Sequence, residues 1–426
     1  MSYTFRWQET HTPLHISLAG GTLTLSFDGK VNLSFDGEGR LVGAFLEWIT
    51  YRRALDNRIL AKWIDPAQPG RRLRRFLSQT ERRSLLDRCY EMAADVTNGL
   101  ATGHFILPAD GVALDPIFDW LTRVIRWEWQ TLEMERERFL RVYKPVPILP
   151  PDQYLSTVVQ ATEGCSYNRC SFCTFYQDRL FRVKSIPQLQ DHLDSVEEFL
   201  GRGLALRRGI FLADANAVIV AQKTLIPMLD AIGQRFPILS PDLPAEERRR
   251  QRAQDPSTAD GIYAFISAPD TLHKTSVDFA DLRDHHLRRV YIGLESGHDP
   301  LRHFLAKPGR AADVVHAVET IKAGGVGVGL IVMIGVGGEV YREAHRRDTL
   351  ALIQKMPLDQ NDILYLSPFV ADANSLYTED IESAEIETMS EDAIAQEMER
   401  FRVALKPWAQ PRRIRISAYD IREFIY

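Results

Sequence analysis

Hydrophobic and polar positions change rhythm three times along the chain. From 13 to 49 apolar and polar side chains alternate, and the runs break at Gly20-Gly21, Asp28-Gly29 and Asp36-Gly37-Glu38-Gly39. Period-two alternation between such turn pairs predicts a small antiparallel meander. Over 71–98 and 112–142 the apolar residues recur at helical spacing, with Leu73, Phe76, Leu77, Leu85 and Leu86 in the first stretch, which predicts two helical regions. The run Lys144-Pro-Val-Pro-Ile-Leu-Pro-Pro151 cannot continue a helix and makes a stiff extended connector. A domain boundary is placed there.

Beyond it, β-rich runs alternate with segments long enough for crossover helices. Strands are predicted at 154–162, 208–213, 261–267, 289–294, 327–334 and 362–367, and helices at 186–200, 222–236, 311–323 and 341–355. Six such units predict an α/β fold, a partial (βα)6 TIM-type barrel whose ligands sit on the loops after the strands. The stretch 241–260, with Glu246-Glu-Arg-Arg-Arg-Gln-Arg252 inside it, is expected to be an exposed insertion. A last helix over 390–406 is followed by a short terminal strand. The organisation expected is an N-terminal α+β accessory domain (1–150), a core barrel (151–370) and a C-terminal extension (371–426).

Composition narrows the classes. At 45% hydrophobic and 26% charged residues the chain matches a water-soluble globular protein. A net charge of −5 provides no global pull towards nucleic acid or anionic membrane. No apolar run approaches the ~20 residues of a membrane span, and the N-terminus lacks the order of a signal peptide. A cytoplasmic location is therefore expected.

Of the four cysteines, Cys165, Cys170 and Cys173 fall within nine residues, in Thr162-Glu-Gly-Cys-Ser-Tyr-Asn-Arg-Cys-Ser-Phe-Cys173. The spacing C-x4-C-x2-C just after the first barrel strand points to a metal, with iron–sulfur and zinc both open. Plant-type ferredoxins share the spacing but require a further cysteine downstream, and none follows Cys173. Cys89 lies upstream in a predicted helix, as a buried thiol. Zinc would need a fourth ligand, for which His192 is the nearest following histidine. A cubane on three thiolates leaves one iron open to a small molecule. Phe172 adds an aromatic face that is either a cofactor contact or plain core.

These residues resemble the radical S-adenosylmethionine superfamily, in which an aromatic residue precedes the third cysteine of a C-x3-C-x2-C motif. This chain has one residue more between the first two cysteines. Three further segments carry the resemblance. Arg207-Arg-Gly-Ile-Phe-Leu-Ala-Asp-Ala-Asn-Ala217 is similar to the second-strand segment that contacts methionine, with Asp214 and Asn216 standing where most members have Gly-Gly. Tyr291-Ile-Gly-Leu-Glu-Ser-Gly297 is similar to the fourth-strand segment, which makes Glu295 and Ser296 candidates for the ribose. Ile334-Gly-Val-Gly-Gly-Glu339 is similar to the loop lying against adenosine, through Gly335, Gly337 and Gly338. More loosely, Leu149-Pro-Pro-Asp-Gln-Tyr154, Phe175-Tyr-Gln-Asp-Arg179 and Tyr419-Asp-Ile-Arg-Glu-Phe424 resemble a bacterial subgroup of the same superfamily.

The resemblance implies a [4Fe–4S] cluster on Cys165, Cys170 and Cys173, with S-adenosylmethionine on the open iron. It further implies reductive cleavage to a 5′-deoxyadenosyl radical that takes hydrogen from a small-molecule or natural-product substrate. An external reductant such as flavodoxin or ferredoxin would supply the electron. Transfer of a 3-amino-3-carboxypropyl group stays open, as does a non-catalytic iron–sulfur role in electron transfer or regulation. His298, Tyr341 and His345 lie near predicted strand ends, as substrate contacts or as satisfied structural groups. The basic run Arg71-Arg-Leu-Arg-Arg75 with Arg82-Arg83 is either an RNA contact or the solvated face of a helix. The charge of −5 argues against nucleic acid. Gly324–Gly329 precedes a strand and lacks the order of a dinucleotide fingerprint.

Overall fold

The computed structural model describes residues 1–68, 70–108 and 111–426. The alternating N-terminal pattern builds a larger sheet than the meander expected. Among the described residues, nine strands form one antiparallel sheet: β1 (Ser2–Trp7), β2 (Pro13–Ala19), β3 (Thr22–Phe27), β4 (Val31–Asp36), β5 (Leu41–Leu46), β6 (Ile49–Arg53), β7 (Ile59–Ile64), β8 (Arg72–Phe76) and β9 (Phe105–Ile106). One face is dry, with Phe5, Leu14, Ile16, Leu23, Leu25, Leu33 and Phe35 fully buried. The helix Gln79–Ala101 shares that core, burying Leu86, Cys89, Tyr90, Ala93 and Val96 at intervals of three and four residues.

One boundary departs from the expected pattern. Residues 72–76 are strand β8, paired with β7 from Leu60↔Phe76 to Ile64↔Arg72, and the helix begins only at Gln79. A capping box sets that start: the Ser78 hydroxyl accepts from the Glu81 N–H, and the Glu81 carboxylate accepts from the Ser78 N–H. Leu73, Phe76 and Leu77 imitate helical spacing, but the first two belong to a strand. Two arginines of the basic run are engaged within the chain: Arg74 pairs with Asp420 at 2.7 Å and Arg75 with Glu81.

The C-terminal two thirds form a seven-stranded parallel sheet in the order β10 (Thr157–Gln160), β13 (Ile210–Ala213), β14 (Ile262–Phe265), β15 (Leu287–Glu295), β16 (Gly327–Ile334), β17 (Ile363–Pro368) and β18 (Arg415–Ala418). Two short strands, β11 (Thr162–Glu163) and β12 (Arg182–Val183), pair with each other and bracket the cysteine loop. All six strands expected of the core are present, and β18 adds a seventh. The inner strands are largely buried on both faces, as in β16, where all eight residues are buried, while β18 at the edge buries none. Helices Ile186–Leu200, Gln222–Arg235, Ala311–Ala323 and Gly338–Ile353 cover the sheet within a few residues of their expected limits. The stretch 241–260 is exposed as expected but folds as a helix, Ala245–Gln254, with no buried residue.

The sheet does not close by strand pairing between β10 and β18. Residues following β18 cross that gap instead. The Tyr419 hydroxyl donates to the Leu149 carbonyl at 2.7 Å, and the Tyr426 hydroxyl accepts from the Val158 N–H at 2.9 Å. Arg74 and Lys62 of the N-terminal sheet hold this segment through Asp420 and Glu423. Among the described residues, no helix is long and apolar enough to cross a membrane.

Two buried histidines make the fold sensitive to acid. His192 accepts the Gln160 N–H at Nε2, and the His345 Nδ1 lies 2.8 Å from the Ser296 hydroxyl. Burial pushes both imidazoles down to about 4. The unfolded chain therefore takes up protons first, so the stability held above pH 6.5 is lost as pH falls towards 4. Urea unfolding at pH 5 is expected to show a loss of about 2 kcal/mol per imidazole relative to pH 7. An unchanged midpoint would contradict the assignment.

Candidate active site

A cavity of about 220 Å³ opens at the carboxyl ends of the parallel strands, where a barrel presents its loops. Cys165, Cys170, Phe172 and Cys173 line it together with Asn216 and Glu295. The rest of the wall is mostly apolar and includes Phe265, Ile266, Tyr291, Ile331, Met333 and Phe369. Packed aromatic rings lie under it, with Phe211 and Phe265 at 5.1 Å and each about 6.0 Å from Tyr291.

The cysteine loop is pinned from several sides. β11 and β12 hold its ends, and Glu163 accepts from Arg182 and Lys184 at 2.8 and 3.0 Å. Its middle is fixed by the Ser171 N–H on the Leu305 carbonyl and the Tyr377 N–H on the Ser171 carbonyl, both 3.0 Å. Asn168 turns the chain with φ of 48°, and its N–H points at the Cys165 sulfur at 3.3 Å. Gly164 has φ of 77°, and a Cβ there would lie 2.9 Å from the Leu180 carbonyl oxygen. Gly164→Ala is expected to cost about 1–2 kcal/mol in a urea titration. A neutral result would mean that the loop relaxes freely.

All three thiols are free of disulfides. Burial raises Cys170 and pushes Cys173 up to about 11, so a metal would have to displace their protons. Among the described residues, no group of three or more His, Cys, Asp or Glu side chains converges tightly enough for one metal ion. His192, the nearest histidine after the motif, is committed to the Gln160 N–H.

The remaining candidates divide into two groups. Asn216 lines the cavity but is braced, donating to Ser166 at 2.9 Å and accepting from the Ser267 N–H at 3.1 Å. Glu295 sits at a bulge with φ of 58°, and its carboxylate meets Lys307 at 2.7 Å. Lys307 is held above its usual range: burial lowers it, but Glu295 and Cys170 more than offset that. Asp214, Ser296, Gly335, Gly337 and Gly338 stand outside the cavity wall. Asp214 is turned into the cysteine loop, accepting from Gly164 at 2.9 Å and Gln160 at 3.1 Å, with Arg179 at 3.4 Å. Ser296 is fully buried beside His345. The glycines make room for protein: a Cβ on Gly335 would meet Ile394 at 2.6 Å, and one on Gly338 would meet the Glu387 carbonyl at 2.2 Å. His298 pairs with Asp348, while Tyr341 packs on Phe304 and His345 on Phe401.

Three features of the site were not singled out from the sequence. Lys307 faces Glu295 from the loop after the helix Asp299–Phe304. Tyr419 and Ile421 reach the wall from beyond β18. Asp152 sits beneath the cavity and accepts from Tyr291 at 2.7 Å, Tyr365 at 2.6 Å and Arg289 at 2.9 Å. Asp152, Tyr419 and Ile421 had a sequence signal, as members of the segments Leu149–Tyr154 and Tyr419–Phe424, and Lys307 had none.

The sequence pattern of the Radical SAM superfamily matches residues 159–351. No curated protein sequence matches the chain. Coproporphyrinogen III oxidase (HemN) from Escherichia coli, described as a radical SAM enzyme, aligns with 64% of this chain and 56% of its own, at 12% identity and a TM-score of 0.41. An N-terminally deleted Elp3 from the archaeon Methanocaldococcus infernus aligns over 62% and 56%, at 13% identity and a TM-score of 0.39. For methylornithine synthase (PylB) the shares are 62% and 70%, at 11% identity and a TM-score of 0.37. This chain thus spans little more than half the length of the first two. The stretch from β10 into the helix after β16, with the cysteine motif at its opening loop, is thus a radical SAM domain.

Proposed function

We propose that this protein is a radical SAM enzyme that holds a [4Fe–4S] cluster on Cys165, Cys170 and Cys173 and acts on a small molecule. The observation that carries the reading is the convergence of the three free thiols, Phe172, Asn216 and Glu295 on one cavity. Three thiols with no further cysteine after Cys173 suit a cubane with one open iron, whereas a structural zinc would need a fourth protein ligand. When bound, such a cluster with one open iron supplies the electron that cleaves S-adenosylmethionine to methionine and a 5′-deoxyadenosyl radical.

The chain's own residues would position and shield. Phe172 offers a ring for adenine to pack on. Asn216 and Glu295 offer polar atoms to the methionine and ribose parts of the cofactor, and the Lys307 ion pair fixes the Glu295 carboxylate. The apolar wall from Phe265 to Phe369 keeps water and stray hydrogen donors away from a radical. Supply of the electron by flavodoxin or ferredoxin belongs to the same proposal.

The test is anaerobic reconstitution with iron and sulfide, chemical reduction, addition of S-adenosylmethionine and mass spectrometry of the nucleosides formed. The result expected is 5′-deoxyadenosine from the wild type and none from a triple cysteine-to-alanine variant. 5′-Methylthioadenosine in its place would redirect the reading to 3-amino-3-carboxypropyl transfer. That outcome has its own motive, because the Asp214 carboxylate is engaged by Gly164, Gln160 and Arg179 and is not free to position methionine. Bound zinc with no cluster would overturn the proposal.

A further inference from the structure

A second cavity, of about 40 Å³, lies where β4 to β6 of the N-terminal sheet meet the start of the core and the residues after β18. One water needs ~10–15 Å³, so the space suits a few waters or one small anion. Its lining brings together Arg40, Arg52, Arg53 and Arg207, with Asp36 as the carboxylate among them. Arginine stays charged at any physiological pH, so this is a concentration of positive charge inside the protein.

The partners of these guanidinium groups are unevenly shared. Arg40 has carboxylate partners: Nη2 donates to the Phe199 and Leu200 carbonyls at 3.0 Å, and Asp36 and Glu135 each stand 3.5 Å from it as ion pairs, although its Nε and Nη1 make no hydrogen bond. Asp36 is itself engaged by the N–H groups of Glu38 and Arg40 at 2.9 and 3.0 Å. Among the described residues, Arg52, Arg53 and Arg207 form no ion pair with a carboxylate. Arg53 is 7% exposed and donates Nε to Asn57 at 2.8 Å, but its Nη1 finds only the Leu41 carbonyl at 3.5 Å and its Nη2 has no partner. Arg207 reaches only the Ser156 carbonyl at 3.5 Å, and its buried Nε is unpartnered. Arg52 reaches the Tyr154 carbonyl at 3.4 Å. Burial also weighs against the charge of Arg52 and Arg53. Buried donors without acceptors are costly, and three unpaired guanidinium groups around one space form a ready receptor for oxygen anions.

We propose that this cavity binds a small oxyanion, a phosphate or a carboxylate, through Arg53 and Arg207 with Arg52 at its edge. The rings of Tyr154 and Tyr426 lie against Arg52 and Arg207 at 4.8 and 5.5 Å, which orients the planar forks around the space. An anion seated there would fasten the N-terminal sheet to the core and to the residues after β18, apart from the cysteine cavity.

Thermal unfolding of the full chain tests this with sodium phosphate, sulfate and acetate, each against sodium chloride at equal ionic strength. A rise of roughly 2–4 °C with at least one oxyanion is expected in the wild type. The rise is expected to vanish in Arg53→Met and to shrink in Arg207→Gln, while Arg72→Gln, an exposed change elsewhere, keeps it. Arg207 is only partly buried, so its variant remains informative if Arg53→Met fails to fold. A response to phosphate and sulfate alone identifies a tetrahedral anion, and a response to acetate alone identifies a carboxylate. No oxyanion acting beyond chloride, or a full response in Arg207→Gln, would overturn the proposal.

Discussion

Cys170→Ala is expected to lose the visible iron–sulfur chromophore after reconstitution and to reduce 5′-deoxyadenosine formation to background. Removal of a residue that only supports a metal ligand commonly costs ~10–100-fold, and loss of one of three ligands should exceed that. Cys89→Ala is the contrast. Cys89 is fully buried in the N-terminal core, where burial pushes its thiol up to about 12 and leaves it inert. Its loss should cost roughly 1–2 kcal/mol of stability and leave product formation intact. Iron content, the absorption spectrum and nucleoside yield measured on both variants check the pair. Equal effects from the two would sink the assignment of the cysteine loop.

Asp152→Ala carries the largest expected loss of stability. Asp152 accepts from two tyrosine hydroxyls on β15 and β17 and from Arg289, and its side chain and that of Arg289 are less than one fifth exposed. Burial works against the Arg289 charge, but Tyr291 and Asp152 more than offset it and hold the guanidinium above its usual range. Alanine would strand two hydroxyls and a positive charge under the barrel, for which a loss of about 2–4 kcal/mol is expected. An asparagine side chain would still accept one hydroxyl while removing the charge, so Asp152→Asn should fall between. Urea unfolding checks the order. A change below about 1 kcal/mol for alanine would show that water replaces the carboxylate without difficulty.

The core was legible in the sequence because its strands are buried on both faces and therefore stand out as short apolar runs, as at 327–334. The cysteine loop was legible because its ligand chemistry is local. The start of the helix at Gln79 was missed because Leu73 and Phe76 happen to fit a helical spacing, while the decisive signal was the Ser78–Glu81 cap. The glycines after β16 fit a ligand-facing loop equally well on paper, yet Ile394 and the Glu387 carbonyl occupy the space they leave. Those neighbours lie some fifty residues further on, where no local pattern reveals them. The roles of Lys307 and Tyr419 were hidden for the same reason. Lys307 meets Glu295 only because the loop after a short helix folds back on the end of β15, and Tyr419 meets Leu149 across 270 positions.

The crossing of the sheet gap by the residues after β18 bears on how the site comes into being. Val158 meets Tyr426 across 268 positions, and Leu149 meets Tyr419 across 270. Chains emerge from the ribosome N-terminal end first, so the cysteine loop is made long before Tyr419 and Ile421 exist to wall it in. Throughout that interval its thiols face solvent on one side. Assembly of the proposed cluster therefore has an open door during synthesis, which the residues after β18 close.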